Sequence, residues 1–307
     1  MKEMIKFEHV MKLYDKKPVV NVEHLVIEKG QIYGLIGPNG AGKSTIMKMI
    51  CGLQETTKGQ VTIQGKAYTH TNRHQIVSQI GSLIEAPSYY EHLSGFENLK
   101  IVCQLKNLPI EEVDKALEEV GLSQHKHKKV KNYSLGMKQR IGIAMALIGR
   151  PPLIILDEPT NGLDPQAKEE IRHLIRDLPA KYGSTVMVSS HALDEIERMV
   201  TQIGIIGQGK LLYQGTIDNF KQHQSRAILM RTSDNQLAAS IMGIPNVIMT
   251  DGAIKFSYVD DNQIASYLKK LVKANIEVYR IYEEHKSLEE LFIEFTHDLT
   301  LTGGRVL

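Results

Sequence analysis

Short apolar runs alternate with amphipathic segments along the first two thirds of the chain. The runs QIYGLIG, PPLIILDEPT and STVMVSSH stay apolar until they meet glycine or polar residues. Such continuous runs are typical of strands that are buried on both faces of a parallel sheet. Two of them are followed by the helical patterns QAKEEIRHLIRDLPAKY and ALDEIERMV. This alternation of strand and helix predicts an α/β fold.

Helical periodicity predicts further helices between these runs. Residues 88 to 150 are predicted to be mostly helical, most clearly in PIEEVDKALEEVGL, which begins with proline and acidic residues and has a glycine near its end. The segments MIKFEHV and KGQVTIQGKAY instead predict strands and turns. Residues 43 to 53 predict a helix with one apolar face. That face consists of Ile46, Met49, Ile50 and Leu53.

The pattern changes after about residue 220. We expect a hairpin around Asp251-Gly252 and a final helix that opens with Ser287 and Glu290 at capping-box spacing. No nucleotide-binding pattern occurs in this part, which predicts a small α+β domain at residues 221–307 after a larger domain at residues 1–220. Its predicted strands and helices are RAILMRT, NVIMTDGAIKFSYV, NQIASYLKKLVKAN, IEVYRIYEE and SLEELFIEF.

Composition is typical of a soluble globular protein. Of the 307 residues, 42% are hydrophobic and 23% are charged, and the length exceeds what most single cores need. A net charge of +2 is too small to indicate a nucleic-acid-binding surface by itself. Cys51 and Cys103 are far apart and lack metal-ligand spacing, so we expect no disulfide framework and a reducing compartment.

No segment predicts secretion or membrane insertion. The start, MKEMIKFEHVMKLY, is charged and lacks the apolar core of a signal peptide. The stretch IGIAMALIGRPPLIIL is interrupted by Arg150 and two prolines, whereas a spanning helix takes about 20 apolar residues. We therefore expect a protein that is soluble by itself and reaches a membrane only through a partner. The basic run HKHKKVK (125–131) is either a solvated loop or a contact with an acidic partner or lipid headgroups.

The segment GPNGAGKST matches the phosphate-binding pattern G-x-x-x-x-G-K-[ST] and lies between a predicted strand and a predicted helix. Its glycines allow backbone N–H groups to face a phosphate chain, and the helix N-terminus adds its dipole. Lys43 is expected to reach the β- and γ-phosphates, and Ser44 to bind Mg²⁺. We predict that the nucleotide contacts Gly37, Pro38, Asn39, Gly40, Ala41, Gly42, Lys43, Ser44 and Thr45.

A second motif, LIILDEPT, delivers two acids to the end of a predicted strand. Asp157 is expected to hold Mg²⁺ through a water. Glu158 is placed to polarise an attacking water, and general-base catalysis of this kind is typically worth about 10²–10⁴-fold. The alternative interpretation is that Glu158 is a cap or a surface charge. These two motifs alone also permit a kinase or a GTPase.

The segment NYSLGMKQR resembles the signature motif of ATP-binding-cassette (ABC) ATPases, and its Ser134 lies 157 − 134 = 23 residues before Asp157. The resemblance covers residues 4 to about 220 and implies a P-loop NTPase fold, with a RecA-like core, a β-subdomain and a helical signature subdomain. It also implies that Tyr14 stacks on adenine, that Asp164 is the acid of the D-loop, and that His191 is the switch histidine. Taken singly, Tyr14 and His191 are weak signals.

The signature departs from the commonest family sequence, since Met137 stands where glutamine is usual. Ser134 and Gly136 keep the hydroxyl and the flexible backbone N–H that suit a γ-phosphate. In the family this motif closes on ATP that is bound by the opposite subunit, which gives a two-fold arrangement. The chain carries one set of motifs. A second ABC ATPase subunit is therefore expected, most simply as a homodimer.

Glu85, in IGSLIEAPSYY, stands where ABC ATPases usually carry a glutamine that meets Mg²⁺ or the attacking water. An ionised glutamate only accepts hydrogen bonds, whereas glutamine also donates them. A carboxylate repels a triphosphate, but it is a good ligand for Mg²⁺. Glutamate in this loop resembles the ATPase subunits of bacitracin and lantibiotic self-protection exporters. The alternative is that Glu85 carries no information on the substrate.

The resemblance implies an ATPase subunit of an ABC exporter that uses ATP and Mg²⁺ and lies on the cytoplasmic face of the membrane through separate permease subunits. It implies a catalytic set of Glu158, His191 and Glu85, and no nucleic-acid partner. Export of a peptide antibiotic is the narrower prediction, and another drug or a lipid is its alternative. Two rivals are a soluble ABC ATPase that moves no substrate and a binding module that has lost catalysis.

Overall fold

The computed structural model describes residues 2–69, 71–191, 193–222, 227–244, 247–250, 252–284 and 290. The chain divides into two compact units, with the division between Ile217 and Asp218. Whether these units are the two functional domains expected on either side of residue 220 stays a prediction. The strands and helices of the first unit, in chain order, are β1 (Glu3–Tyr14), β2 (Lys17–Glu28), β3 (Ile32–Ile36), α1 (Lys43–Ile50), β4 (Lys58–Ile63), β5 (Lys66–Ala67), α2 (Arg73–Val77), β6 (Ile80–Leu83), α3 (Gly95–Leu105), α4 (Glu111–Glu119), α5 (Leu135–Leu147), β7 (Leu153–Asp157), α6 (Pro165–Tyr182), β8 (Thr185–Ser190), α7 (Leu193–Glu197), β9 (Gln202–Gly207) and β10 (Lys210–Gly215).

The first unit is built around a six-stranded sheet with the strand order β10-β9-β3-β8-β7-β6. All neighbouring pairs are parallel except β10 with β9. Every residue of β3, β7 and β8 is buried, as the continuous apolar runs predict. Parallel strands end at one edge of a sheet, and ligands of α/β sheets bind at that carboxyl edge. The phosphate loop after β3, the acids at the end of β7, His191 after β8 and Glu85 after β6 therefore share an edge.

A second, antiparallel sheet of the order β2-β1-β4-β5 covers one side of this core. Its inward side chains, such as Phe7 and Leu25, belong to the same buried apolar cluster as Met47 of α1 and Leu153 of β7. Helices α3, α4 and α5 pack against one another and form a helical subdomain. Core, β-subdomain and helical subdomain together match the α/β architecture that the motifs imply.

Helix α1 is shorter than the sequence predicts. It ends at Ile50, because Gly52 takes a left-handed backbone with a φ of 66° that glycine adopts without steric cost. Leu53, which was expected on the apolar face of this helix, lies beyond its end and is 64% exposed. The prediction for Leu53 is therefore wrong.

Helix α6, the longest among the described residues, shows the amphipathic pattern that the sequence predicts. Asp164 caps its N-terminus, and Gly183 follows its last residue with a left-handed backbone. Ile171, Ile175 and Leu178 are its buried residues, while the rest of the helix is rich in charge. Among the described residues, no helix is both long and apolar enough to cross a bilayer.

The second unit is an α+β fold of the ferredoxin-like type. Its elements run β-α-β-β-α-β, and the four strands form an antiparallel sheet of the order β12-β13-β11-β14. The predicted hairpin is present, since Thr250 pairs with Ala253; Asp251 lies outside the described residues, as does Ser287 of the predicted final helix. Helix α8 (Ile217–Gln222) precedes this fold, whose elements are β11 (Ala227–Thr232), α9 (Asn235–Met242), β12 (Ile248–Thr250), β13 (Ala253–Ser257), α10 (Asp261–Lys273) and β14 (Val278–Glu284).

Candidate functional site

The phosphate loop between β3 and α1 is shaped by the strand beside it. A Cβ atom at Gly37 would lie 2.4 Å from the carbonyl oxygen of Ile206 in β9, so a larger residue does not fit. The N–H of Gly209 donates to the carbonyl oxygen of Ala41 at 3.0 Å, and Gly42 precedes α1 with a φ of 105°. The loop encloses a cavity of about 260 Å³. Its lining consists of Val19, Asn39, Gly40, Ala41, Gly42, Lys43, Ser44, Thr45 and Glu158.

Lys43 is buried in this cavity, although it is charged. Its ammonium donates to the carbonyl oxygen of Gly37 at 2.7 Å and to that of Pro38 at 3.4 Å. It also lies 3.5 Å from Oε1 of Glu158. A buried ammonium needs such partners, and here they hold the charge directly over the phosphate loop.

Asp157 and Glu158 are oriented by one serine that sequence reasoning missed. Ser189 in β8 lies beside Asp157 in β7 because the two parallel strands pair in that register. Its hydroxyl donates to Oδ1 of Asp157 and accepts the backbone N–H of Glu158 at 2.9 Å. One hydroxyl thus fixes both acids at the carboxyl edge of the sheet.

Glu158 projects from a left-handed backbone with a φ of 49°, which is uncommon for a non-glycine residue and is concentrated at functional sites. Its Oε2 lies 2.8 Å from Nδ1 of His191, and its Oε1 faces Lys43. The carboxylate is thus held between two basic groups beside the phosphate loop. This geometry argues against the alternative of a cap or an unattached surface charge.

His191 itself is anchored through its neighbours. Glu195 in α7 accepts a hydrogen bond from Thr160 at 3.2 Å, is 3.5 Å from the hydroxyl of Ser190, and pairs with Lys168 of α6. Burial alone would raise the pKa of Glu195, but its contacts with Lys168, Thr160 and His191 outweigh burial and lower that pKa below its ordinary value. Glu195 therefore stays ionised. Its carboxylate connects Thr160, two residues after Glu158, to Ser190, which directly precedes His191.

The oxygen donors near the loop suit a magnesium ion. Ser44 supplies a hydroxyl, while Asp157 and Glu85 supply carboxylates, and hard cations of this kind prefer oxygen ligands. No cluster of three or more His, Cys, Asp or Glu that would hold a metal occurs in the part of the chain that the structure describes. Mg²⁺ keeps several waters and usually takes only one or two carboxylates plus substrate phosphates, so this small donor set fits it.

Glu85 lies just beyond β6 and has a left-handed backbone with a φ of 64°. Its side chain is 64% exposed, and its Oε1 lies 2.5 Å from Nζ of Lys48 in α1. Sequence reasoning singled out Glu85 but did not name Lys48. The carboxylate is therefore held by a helix that begins at the phosphate loop.

Tyr14 ends β1 and is 43% exposed. Its hydroxyl is hydrogen bonded to the side-chain amide of Gln54, and the ammonium of Lys12 lies 5.4 Å from its ring centroid. An exposed ring that is held at one end is suited to stacking on a planar base. That role stays a prediction.

The signature residues line a different cavity, of about 290 Å³, which contains Ser134, Gly136 and Asp164. It shares no lining residue with the cavity at the phosphate loop. Ser134 accepts the N–H of Met137 at 3.3 Å, and Asp164 accepts the N–H of Ala167 at 2.9 Å. Both side chains thus cap helices, α5 and α6 respectively, and present the ends of those helices to this cavity.

Comparison with known proteins matches this geometry. The sequence profile described as ABC transporter matches residues 20–161. The chain is 38% identical over 297 residues to the bacitracin transport ATP-binding protein BcrA of Enterococcus faecalis, and the alignment covers 95% of this chain and 96% of BcrA. The chain belongs to the ABC transporter family. It is an ATP-binding subunit of an ABC transporter and an ATPase.

Two further relatives of this ABC ATPase bear on its assembly and substrate. The lantibiotic transport ATP-binding protein SrtF of Streptococcus pyogenes is 42% identical over 215 residues, which are 70% of this chain and 92% of SrtF. The dimeric cassette MJ0796, in a post-hydrolysis state bound to ADP and Pi, superposes with a TM-score of 0.64 at 26% identity and covers 70% of this chain and 99% of that one.

The structure of this ABC ATPase places most of the predicted residues in three groups; of the others, Gly37 and Pro38 accept hydrogen bonds from Lys43, and Asp157 accepts one from Ser189. The loop residues from Asn39 to Thr45 and Glu158 line one cavity, and His191 contacts Glu158. Ser134, Gly136 and Asp164 line another. Glu85 and Tyr14 line neither of these two cavities; Glu85 is held by Lys48 of α1, and Tyr14 by Gln54 in the loop after α1.

Proposed function

We propose that this ABC ATPase powers the efflux of a peptide antibiotic, of bacitracin or lantibiotic type, through separate membrane subunits and so gives immunity or resistance. The observation that carries the proposal is the length of the similarity to BcrA. It extends over 95% of the chain and so includes the ferredoxin-like unit. The similarity to SrtF covers 70% of the chain, which favours the bacitracin type of the two.

Glu158 is the residue that activates water in this proposal. Its carboxylate is an acceptor at the edge of the phosphate-loop cavity, and His191 fixes its orientation at 2.8 Å. A general base acts only within hydrogen-bond reach of the proton that it takes. A water between Glu158 and the γ-phosphate would lose its proton to Glu158 as its oxygen attacks the γ-phosphorus, and the bond from that phosphorus to the bridging oxygen would break, with ADP as the leaving group.

Lys43 provides the charge that the leaving phosphates need. Its ammonium now donates to the neutral carbonyl oxygen of Gly37 at 2.7 Å. A phosphate oxygen is a stronger acceptor because charge-assisted hydrogen bonds are roughly twice as strong as neutral ones. When ATP binds, Lys43 is therefore expected to exchange Gly37 and Glu158 for phosphate, which leaves the Glu158 carboxylate to the water.

Ser44, Asp157 and Glu85 would hold Mg²⁺. The ion, when bound, neutralises charge that develops on the β- and γ-phosphates. Ser189 supports the site through its hydrogen bond to Asp157, which leaves that carboxylate in one orientation. Such supporting partners typically change metal affinity or activity about 10- to 100-fold when they are removed.

A second copy of the chain would complete each nucleotide site. The phosphate loop and the signature line separate cavities, so one chain offers one half of two different sites. In a two-fold dimer, Ser134, Gly136 and Asp164 of one copy face the phosphate loop of the other. The dimeric state of the similar cassette MJ0796 supports this arrangement.

The membrane part of the transporter would be supplied by separate permease subunits. No helix in the described part of the chain can span a bilayer, and an ATPase subunit must face the compartment that contains ATP. We therefore place the subunit at the cytoplasmic face of the membrane, bound through the permease. Several residues of the basic run 125–131 are exposed and so can contact the permease. Lys126 of this run is paired with Asp114.

The test replaces Glu158 by Gln, which keeps the shape of the side chain but removes its basicity. We expect the ATPase rate to fall at least about 100-fold, while ATP binding persists and the ATP-bound dimer accumulates on size-exclusion chromatography. A strain that lacks the gene should become sensitive to bacitracin, and only the wild-type gene should restore resistance. Undiminished ATPase activity would remove Glu158 from its role, and unchanged sensitivity to bacitracin and lantibiotics would refute the substrate.

A further inference from the structure

Lys48 lies one helical turn beyond the phosphate loop and contacts Glu85. It lies four residues after Ser44 on α1, so the two side chains share one face of the helix, with Cβ atoms about 5–6 Å apart. Its Nζ lies 2.5 Å from Oε1 of Glu85. The Glu85 carboxylate is thus held about one helical turn beyond the hydroxyl that is expected to bind Mg²⁺.

We propose that Lys48 is a positioning residue that competes with Mg²⁺ for the Glu85 carboxylate and releases it when the magnesium–nucleotide complex binds. The inference rests on the proposed role of Glu85 at the metal. It goes beyond that role, because it assigns a second residue that determines how much Mg²⁺ the subunit needs.

The geometry supports a competition rather than a fixed structural bridge. The Lys48 side chain is 32% exposed and that of Glu85 is 64% exposed, and exposed ion pairs of this kind contribute little to stability. The pair can therefore open without unfolding its surroundings. The Glu85 backbone is left-handed. The chain therefore turns sharply at the residue whose carboxylate, in this proposal, exchanges Lys48 for Mg²⁺.

The pair also accounts for a glutamate at a position where a carboxylate would repel a triphosphate. While the ammonium of Lys48 contacts Glu85, the two charges cancel one helical turn beyond Ser44. A glutamine at position 85 is neutral and would bind Lys48 more weakly, because hydrogen bonds between two charged groups are the stronger ones. The competition is therefore specific to a chain that carries an acid at position 85.

Lys48 has a second possible role, which the experiment must separate from the first. It lies in the last turn of α1, where a cation interacts favourably with the helix dipole. That role concerns the helix alone and does not involve Glu85. If Lys48 acted only on the helix dipole, replacing it would have the same effect with Glu or with Gln at position 85.

The experiment measures binding of a fluorescent, non-hydrolysable ATP analogue to the full-length protein over a range of Mg²⁺ concentrations. Four proteins form a double-mutant cycle: wild type, Lys48→Met, Glu85→Gln and the double variant. Lys48→Arg keeps the charge and tests rescue. The pair Lys115→Met and Glu112→Gln is the control, because Lys115 and Glu112 form a similar ion pair at 2.6 Å in α4. ATPase kcat and KM and the midpoint of thermal unfolding are measured alongside.

We expect Lys48→Met to lower the half-saturating Mg²⁺ concentration about 2- to 5-fold, which is the range that an exposed ion pair allows. The same substitution should have no effect in the Glu85→Gln background, and Lys48→Arg should behave as wild type. Unfolding midpoints should stay within about 2 °C of wild type, and the control pair should leave the Mg²⁺ requirement unchanged.

Two results would overturn the inference. One is an equal change in both backgrounds, which would mean that Lys48 acts on the helix or the phosphates without Glu85. The other is an unchanged or increased Mg²⁺ requirement in Lys48→Met. If Glu85→Gln alone leaves the Mg²⁺ requirement and the ATPase rate unchanged, the proposed metal role of Glu85 fails, whereas the assignment of Glu158 and of the transported substrate stands.

Discussion

At the scale of single residues, Glu195 connects the two segments that carry the proposed base and its histidine partner. Thr160 follows Glu158 by two positions, and Ser190 directly precedes His191; both hydroxyls are within reach of the Glu195 carboxylate. Lys168 of α6 forms an ion pair with Glu195 and so compensates the charge of that carboxylate. A change at Glu195 should therefore be felt at Glu158 and His191, although Glu195 contacts no phosphate-loop residue in the described contacts.

Replacing Glu195 by Gln should lower the free energy of unfolding by about 0.5–1 kcal/mol at neutral pH, the range of a partly screened ion pair. The pKa of Glu195 is lowered in the folded state, so its stabilising effect is present above the unfolded-state pKa and is lost as pH falls through the folded-state pKa. Urea unfolding of both proteins should therefore differ at pH 7 and converge in acid.

Glu169→Gln is the matched control, because Glu169 is a more exposed carboxylate with partners on its own helix, α6. It should change stability little at any pH. A difference between Glu195→Gln and wild type that is independent of pH would show that the charge of Glu195 is not what stabilises the fold.

Sequence motifs predicted which residues lie at the site but not how they are held. Lys43, Asp157, Glu158 and His191 are recognisable because each lies at or just after the end of a strand, at a fixed place in a motif. Ser189 is not, because its contact with Asp157 depends on the register between β7 and β8. The same holds for Lys48, whose partner Glu85 is close in space but distant in sequence.

At the scale of elements, periodicity predicted the buried strands and the long helices, and it was least reliable at their ends. Helix α1 ends at Ile50 because Gly52 turns the backbone. Leu53 has the spacing of the apolar face of α1, but it lies beyond this turn and is exposed. Helix α9 was not predicted, although its limits are marked: Asp234 caps its start and Gly243 its end. Those capping residues were a stronger signal than its weak periodicity.

The sheet of the ferredoxin-like unit contains an unfavourable pair. Arg231 of β11 lies directly opposite Arg280 of β14, and both are exposed. Residues opposite each other in an antiparallel pair share a face, and like charges there are destabilising. In contrast, Lys255 of β13 and Glu284 of β14, on the two strands that flank β11, form an ion pair at 2.6 Å.

Replacing Arg280 by Thr should raise the free energy of unfolding of this unit by about 0.2–1 kcal/mol, because it removes the repulsion and adds a residue that favours strands. The gain should be larger at low salt, since salt screens exposed charges. Arg280→Lys keeps the charge and should show no salt-dependent gain. A loss of stability in Arg280→Thr would mean that the arginine makes a contribution that outweighs the repulsion.

At the scale of the whole molecule, the residues proposed for catalysis and nucleotide binding all belong to the first unit, from Tyr14 to His191. The sequence predicted a change of architecture near residue 220. Buried apolar runs that alternate with helices give way there to a hairpin and short strands and helices without a nucleotide-binding motif. It did not predict a role for the second unit, because that unit carries no motif whose residue types require a particular chemistry. Its function has to be found by removing it.

A chain of residues 1–222, which keeps the buried Phe220 of α8, should still bind ATP with an affinity within a few-fold of the full-length value, since its phosphate loop and its core are intact. Fluorescent nucleotide binding and circular dichroism would check this. Loss of ATP binding in a folded truncation would show that the second unit takes part in the nucleotide site. Loss of antibiotic resistance with normal ATPase activity would assign that unit to transport.

The contact between the phosphate loop and β9 determines when the protein becomes able to bind nucleotide during its synthesis. Gly37 and Ala41 are fitted against Ile206 and Gly209, and most of the first unit separates them in sequence. A nascent chain that ends before β9 already contains the whole phosphate-loop motif but not the strand that shapes it, so the ribosome must finish nearly the whole cassette before the loop can take its final form.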